Sequence, residues 1–118
     1  MEQEDRKMTV YIAGPIEGDA GYRRKFAAVV NMIRKAEPGA SILNPGALPD
    51  GMTRADYMAI CLQMVLCADI VVLLPGWRSS GGAGIEKRLA DYLRIRTVEV
   101  SAETLQKAME EIGKEGAR

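Results

Sequence analysis

Two short apolar runs, each stopped by a pair of turn residues, constrain the fold more than any other feature. Met8 to Ala13 is followed by Gly14-Pro15, and Ile70 to Leu74, the most apolar run of the chain, is followed by Pro75-Gly76. Runs of this length that end at turn residues are typical of parallel strands covered on both faces. We therefore expect a parallel sheet with Ile70 to Leu74 at its centre.

The segments between these runs have helical periodicity. Apolar residues recur every three to four positions after Gly21, and again after Thr53 and Ser101, two residues that can cap a helix. Two further short strands are predicted at Ser41 to Leu43 and Arg96 to Val100. Because strand and helix alternate throughout, the sequence predicts a three-layer α/β fold with a parallel sheet of four to five strands.

A third helix is predicted after the Gly-rich segment that ends at Gly84. Ile85, Leu89 and Leu93 have the spacing of its buried line. In such folds, ligands bind beyond the carboxyl ends of the strands, where the strand order reverses. Here that edge brings together the turns that follow the first three strands, namely Gly14 to Gly21, Asn44-Pro45 and Pro75 to Gly84.

The length of 118 residues fits a single domain spanning residues 1–118, in which one site must perform any chemistry. We expect residues 1–7 and 113–118 to be disordered tails.

No apolar run approaches the roughly 20 residues of a membrane span, and the charged N-terminus is unlike a secretion signal. Cys61 and Cys67 would lie about 9 Å apart on a helix, beyond disulfide reach. These features predict a cytoplasmic protein with reduced thiols that does not bind a membrane.

The charge balance and the lack of histidine exclude several classes of function. Sixteen basic residues balance sixteen acidic ones, so the chain lacks the basic surface that nucleic-acid polymers attract. The absence of histidine removes the usual Ser/His and Cys/His pairs and most zinc sites. Acid or base chemistry is left to carboxylates, tyrosine or lysine, and we expect neither a metal nor an organic cofactor.

Glu86 is the strongest candidate for a reacting group. It follows a run of serine and glycine and is expected in the first turn of the third helix, where free amides and the helix dipole favour an ionised carboxylate. Such a carboxylate can attack the anomeric carbon of a sugar. The alternative is that Glu86 only complements the helix dipole.

The other candidates each have a structural alternative. Tyr11, near the end of the first strand, can hold a carboxylate or fill the core. Trp77 can stack on a flat base, or it can cover the core or a subunit contact. Ser80 and the glycine amides after it can bind a phosphate or a sugar hydroxyl at a helix N-terminus. The loop lacks the Gly-Lys-Ser/Thr ending of a P-loop, which argues against ATP hydrolysis. Arg23 to Lys25 can meet a phosphate or form a solvated helix face.

Several short motifs, taken in order, resemble the small uncharacterised bacterial and phage family related to nucleoside 2-deoxyribosyltransferases. The resemblance runs from about Val10 to Val100. Its motifs are Tyr11 to Ile16, Phe26, Asn44-Pro45, Cys67 to Asp69, Leu74 to Trp77 and Ser80 to Glu86. It implies a flavodoxin-like or Rossmann-like fold and chemistry at an N-glycosidic bond, as in the transferases and in 2'-deoxynucleoside 5'-phosphate N-hydrolases.

The resemblance also implies roles for individual residues. Glu86 matches the glutamate that forms a glycosyl-enzyme, and Tyr11 matches the tyrosine that orients it. Ser80 matches a serine with which the N-hydrolases bind phosphate, whereas the transferases have an acid there. Substrate contacts are predicted for Gly14, Pro15, Trp77, Ser80 and Gly82.

One position departs from the family pattern. The relatives have an aspartate eight residues before the aspartate that opens the central strand, and it helps to protonate the leaving base. Counting back from Asp69 leads to Cys61, and a neutral thiol is a poor general acid near pH 7. Another group then protonates the base, or the leaving group needs no acid, or turnover has been lost.

Three interpretations follow. The first is an enzyme that cleaves or transfers at the N-glycosidic bond of a nucleoside or nucleoside 5'-monophosphate. The second is a nucleotide-binding or sensing module that has lost the chemistry, and the third is a structural subunit with a vestigial pocket. The apolar second helix, with the sequence MAICLQMVLCA, predicts a homodimer in each case.

Overall fold

A computed structural model describes residues 7–116. Strands and helices alternate along these residues. The strands are β1 (Thr9–Ala13), β2 (Ser41–Leu43), β3 (Ile70–Leu73) and β4 (Arg96–Glu99), and the helices are α1 (Tyr22–Ala36), α2 (Arg54–Cys67), α3 (Gly81–Tyr92) and α4 (Ala102–Gly116). The strands pair in parallel in the order β2-β1-β3-β4. This order confirms the predicted α/β class and the central position of β3, and β1 is the second central strand.

The two faces of the sheet carry separate apolar clusters. On one face, Val10, Ile12 and Val72 pack with α1 and α4. On the other face, Tyr11, Val71 and residues of α2 and α3 form a second cluster. Alternate residues of a strand point to opposite faces, so β1 and β3 are buried on both sides. The result is the expected three-layer, Rossmann-like arrangement.

The turns after the strands bring the backbone close together. A Cβ at Gly14 would stand 2.7 Å from the Cβ of Leu74, so only glycine fits there without displacement. Gly76 has a φ of 87°, which favours glycine where the chain leaves β3. Asn44 Oδ1 accepts a hydrogen bond of 2.8 Å from Gly46 N and closes the turn after β2.

Two predictions about helices are wrong. Helix α3 begins at Gly81, capped by Ser80, and its buried line is Ala83, Glu86 and Ala90. Ile85 and Leu93 are exposed, because the small residues of the helix are the ones that face the sheet. This packing lets the α3 backbone approach the sheet closely.

The C-terminal segment is the second correction. Helix α4 extends to Gly116, so residues 113–116 are helical and not a disordered tail. Ile112 packs on the apolar cluster beneath α4 and anchors this last part of the helix. The other tail residues, 1–6 and 117–118, lie outside the described residues. Among the helices described between residues 7 and 116, none has the length and apolar character that a membrane crossing requires.

Candidate functional site

An open cleft of about 1030 Å³ lies beyond the carboxyl ends of the strands, on the α2–α3 side. Gly14 follows β1, Pro45 follows β2, and Ser79 to Gly82 follow β3, and all of them line it. Between β1 and β3 the strand order reverses, which is where parallel α/β sheets bind their ligands. The predicted edge of the sheet is therefore the edge that carries the cleft.

Glu86 lines this cleft and is only 6% exposed. Because α3 starts at Gly81, Glu86 lies in the second turn, and the expected first-turn position beside free amides is wrong. Within residues 7–116 it forms no ion pair. Burial raises the pKa of Glu86 to about 7, and an interaction with Tyr11 opposes this rise. The carboxyl is therefore divided between its two protonation states near neutral pH, contrary to the ionised form that we expected.

Tyr11 is fully buried on the α2–α3 face of β1 and reaches the floor of the cleft. Its hydroxyl makes no hydrogen bond of regular geometry within the described residues. Glu86 and Cys61 are near enough to influence the pKa of this hydroxyl, although neither contact is a well-formed hydrogen bond. Burial, and then the charge of Glu86, raise the pKa of Tyr11 far above its usual value, so the phenol keeps its proton. The predicted proximity of Tyr11 and Glu86 is present.

Cys61 is 4% exposed, lies on α2 and lines the cleft beside Tyr11. Burial raises the pKa of its thiol, and this effect outweighs the opposing interaction with Tyr11. The thiol is therefore neutral at physiological pH. Tyr11, Cys61 and Glu86 together form a buried cluster that carries protons but no fixed positive charge.

The start of α3 forms a second wall of the cleft. Ser80 Oγ caps the helix by accepting a hydrogen bond of 3.3 Å from Ala83 N. The amides of Gly81 and Gly82 lie in the first turn, where a helix offers no backbone acceptor. All three residues line the cleft, so two amides and a serine hydroxyl are available to an anion or a sugar hydroxyl.

The rim carries a charged residue that sequence reasoning missed. Arg54, the first residue of α2, lines the cleft and forms an exposed ion pair with Glu17. A basic residue next to the capping Thr53, at the end of the turn that follows β2, was the signal available in the sequence. Tyr57 and Met58, one helical turn further along α2, also line the cleft and were not predicted to do so.

Two of the predicted substrate contacts, Trp77 and Pro15, do not line the cleft. The indole N–H of Trp77 donates to Glu99 Oε1 at 3.0 Å, and the Arg78 guanidinium lies 4.5 Å from the centre of its ring. Trp77 packs on the α2–α3 apolar cluster, which matches the structural alternative. Pro15 stands next to Gly76, with its Cγ 3.4 Å from where a Cβ would be.

The basic run at the start of α1 supports the loop after β2. Arg23 donates to the carbonyl oxygens of Gly46 and Leu48 and to Asp50. Lys25 pairs with Asp19. These side chains have structural partners and do not line the cleft. Among residues 7–116, no group of three or more cysteine, aspartate or glutamate side chains is arranged to hold a metal ion.

A comparison with protein families matches residues 8–99 to DUF4406, a domain of unknown function. This is most of the chain. The chain belongs to the DUF4406 family. All the residues that line the cleft of this DUF4406 protein fall within the matched range.

A solved structure supports the fold of this DUF4406 protein. It is the crystal structure of a conserved protein from Enterococcus faecalis V583, which is 24% identical, with a TM-score of 0.64. The alignment covers 86% of this chain and 72% of that one. No curated protein matches the DUF4406 chain significantly. These comparisons establish the family and the architecture of the protein.

Proposed function

We propose that the protein cleaves or transfers at the N-glycosidic bond of a nucleoside or nucleoside 5'-monophosphate, with Glu86 as the nucleophile. One observation carries this proposal. A carboxyl group that is 6% exposed and has no ion pair within the described residues forms part of the wall of an open cleft. A buried carboxyl without a cation is costly to keep, and such groups cluster at functional sites.

The reaction would proceed in two displacements. A Glu86 carboxylate oxygen forms a bond to the anomeric carbon, and the bond from that carbon to the base nitrogen breaks with its electron pair going to the base. Water then attacks the same carbon, releases the carboxylate and loses a proton. In transfer, the nitrogen of a second base replaces the water. Tyr11 would orient the carboxylate, since its hydroxyl lies beside Glu86.

The remaining lining residues fit the sugar and its 5' substituent. Ser80 with the amides of Gly81 and Gly82 offers donors to a phosphate or a sugar hydroxyl. Arg54, which pairs with Glu17 at the exposed rim, has further guanidinium donors that favour a phosphorylated ligand. We therefore rank nucleoside 5'-monophosphates above free nucleosides.

The test is release of free base from a panel of nucleosides and nucleoside monophosphates, followed by chromatography. We expect wild-type protein to release base and Glu86→Gln, which keeps the shape of the side chain, to lose at least about 100-fold of that rate. Glu103→Gln, at an exposed position on α4, is the matched control and should retain full activity. If Glu86→Gln releases base as fast as wild type, Glu86 is not the nucleophile and the proposal is wrong.

A second candidate is a nucleotide-binding or sensing module without turnover. Cys61 favours it, because a neutral thiol stands where the resembled family has the aspartate that helps to protonate the leaving base. In this case nucleotides raise the melting temperature but no base is released. The same panel therefore distinguishes the two functions.

We also propose that the protein is a cytoplasmic homodimer. Both cysteines are free, which is typical of a reducing compartment. Leu66, on the outer face of α2, is 51% exposed, and Ile85 of α3 is 50% exposed. Apolar side chains of this size on neighbouring helices are typical of a contact between subunits.

A further inference from the structure

In the proposed reaction the negative charge on the departing base must be neutralised. The residues that line the cleft show which groups are available to protonate it. The carboxyl side chains in its lining are Glu86, which must be the nucleophile, and Glu17, which is exposed and ion-paired with Arg54 at the rim. Beside Glu86 stand the thiol of Cys61 and the phenol of Tyr11. The buried end of the cleft therefore pairs a nucleophile with two weak acids.

Neither of these weak acids is suited to protonating a leaving group. Burial raises the pKa of both the Cys61 thiol and the Tyr11 phenol, so each holds its proton near neutral pH. Efficient general acids have pKa values near the working pH. A neutral purine or pyrimidine, which leaves as an anion unless it is protonated, would thus depart without help from the protein.

The wall at the start of α2 offers aromatic and thioether side chains to a flat base, and the positive charge of Arg54 there is offset by its ion pair with Glu17. The ring of Tyr57 lines the cleft, and its hydroxyl donates to the carbonyl oxygen of Pro49 at 2.6 Å, which fixes the ring in place. Met52 and Met58 also line the cleft, and Met58 reaches across to Gly82. Aromatic faces attract cations, and methionine sulfur packs well against planar rings. The carboxylate of Glu86 adds attraction from the buried end.

We propose that the preferred substrates are nucleotides whose base already carries a positive charge, such as an N7-alkylated purine or an N-linked pyridinium. This inference rests on the proposed function. In such a substrate the bond between the anomeric carbon and the ring nitrogen breaks, and its electron pair neutralises the charge of the base. The base then leaves as a neutral molecule and needs no proton. Water hydrolyses the glycosyl ester on Glu86 and returns one proton to solvent.

The experiment compares matched pairs of substrates that differ in charge on the base. One pair is 7-methylguanosine 5'-monophosphate and guanosine 5'-monophosphate, with the 2'-deoxy forms assayed alongside. The other is nicotinamide mononucleotide and its reduced, uncharged form. Release of base is measured against blanks without protein, and the rate enhancement over the blank is compared within each pair. We expect an enhancement at least about 100-fold larger for the charged member, since one general acid contributes about 10²–10⁴-fold.

Variants of Cys61 test whether the preference for charged bases arises because the cleft lacks a general acid. Cys61→Asp should raise release from the uncharged members by about 10²-fold and change release from the charged members only a few-fold. Cys61→Ser keeps a small group without acid strength and should keep the wild-type preference. If Cys61→Asp does not fold, the wild-type and Cys61→Ser ratios decide alone, and loss of the preference in Cys61→Ser overturns the inference.

The outcomes separate this inference from the function on which it rests. Equal enhancement for both members of each pair, abolished in Glu86→Gln, overturns the charge preference and leaves the N-glycosidic function standing. Release from neither member, at concentrations where binding is detected by a thermal shift, removes the function and the preference with it. Selective release from the charged members, dependent on Glu86, supports both.

Discussion

At the scale of single residues, Glu86 combines properties that oppose each other. Burial beside Tyr11 and Cys61 makes its ionised form costly, yet a nucleophile must be ionised to react. The Tyr11 interaction lowers the pKa of Glu86 and partly offsets burial. A phenol that keeps its proton is therefore useful at this position, because it stabilises the ionised form of Glu86 without neutralising it as a lysine or arginine would.

The raised pKa of Glu86 predicts how stability depends on pH. In the unfolded chain this carboxyl titrates near pH 4.5, and in the folded protein near pH 7. Between these values the folded state holds a proton that the unfolded state has released, so the free energy of unfolding falls as the pH rises. Integrated over the interval, the loss is about 3 kcal/mol. Glu86→Gln removes it, so we expect the variant to gain about 3 kcal/mol over wild type between pH 4 and pH 8.

Urea unfolding at several pH values measures this difference, because the contributions of all other groups cancel between wild type and variant. Glu103→Gln, at an exposed position on α4, is the control for the loss of a surface carboxylate. A difference between Glu86→Gln and wild type that does not change with pH would show that the carboxyl of Glu86 is not buried as described.

At the scale of elements, α3 shows where the sequence was informative and where it was not. The apolar run at β3 and the capping Thr53 of α2 predicted their elements correctly, because local patterns determine both. In α3, the periodicity of large apolar residues assigned Ile85 and Leu93 to the core, and both are exposed. Hydrophobic periodicity ranks positions by size and polarity, so it could not identify a face made of alanines and a glutamate.

The same helix carries the residue on which the candidate site depends. Ala83, Glu86 and Ala90 have helical spacing, so a search for small residues around a single carboxyl would have found this face. What the sequence could not supply was the register of α3 against β1, which puts Glu86 beside Tyr11. That register depends on contacts between residues 75 positions apart and not on any local pattern.

The end of α3 allows a prediction about stability. Arg94 has a φ of 59°, the left-handed conformation that commonly ends a helix and that favours glycine. The side chain is exposed, so its loss removes little packing. We expect Arg94→Gly to raise the free energy of unfolding by about 0.5–1 kcal/mol, as measured by urea denaturation. Arg88→Gly, an exposed position within the helix, should instead lower it by about 1 kcal/mol. Destabilisation by both variants would contradict the left-handed assignment.

At the scale of the whole molecule, the two faces of the sheet have different surroundings. The α1–α4 side packs its helices on a larger apolar cluster, and the α2–α3 side holds the smaller cluster and the cleft. Apolar side chains also remain outside on α2 and α3, including Leu66 and Ile85. Ile85 lines the cleft as well, so a subunit bound to this surface would lie at the entrance to the site.

The dimer proposal can be tested on that surface without disturbing the cleft lining. Leu66 does not line the cleft and is 51% exposed, so Leu66→Glu should fold normally and place a charge in the subunit contact. We expect sedimentation of wild-type protein as a dimer and of Leu66→Glu as a monomer, because burying an unpaired carboxylate costs several kcal/mol. Val98→Glu is the control: Val98 is 39% exposed and aligned with Val72 on the α1–α4 face. It should remain dimeric. A wild-type monomer, or a dimer that persists in Leu66→Glu, would show that α2 is not the contact.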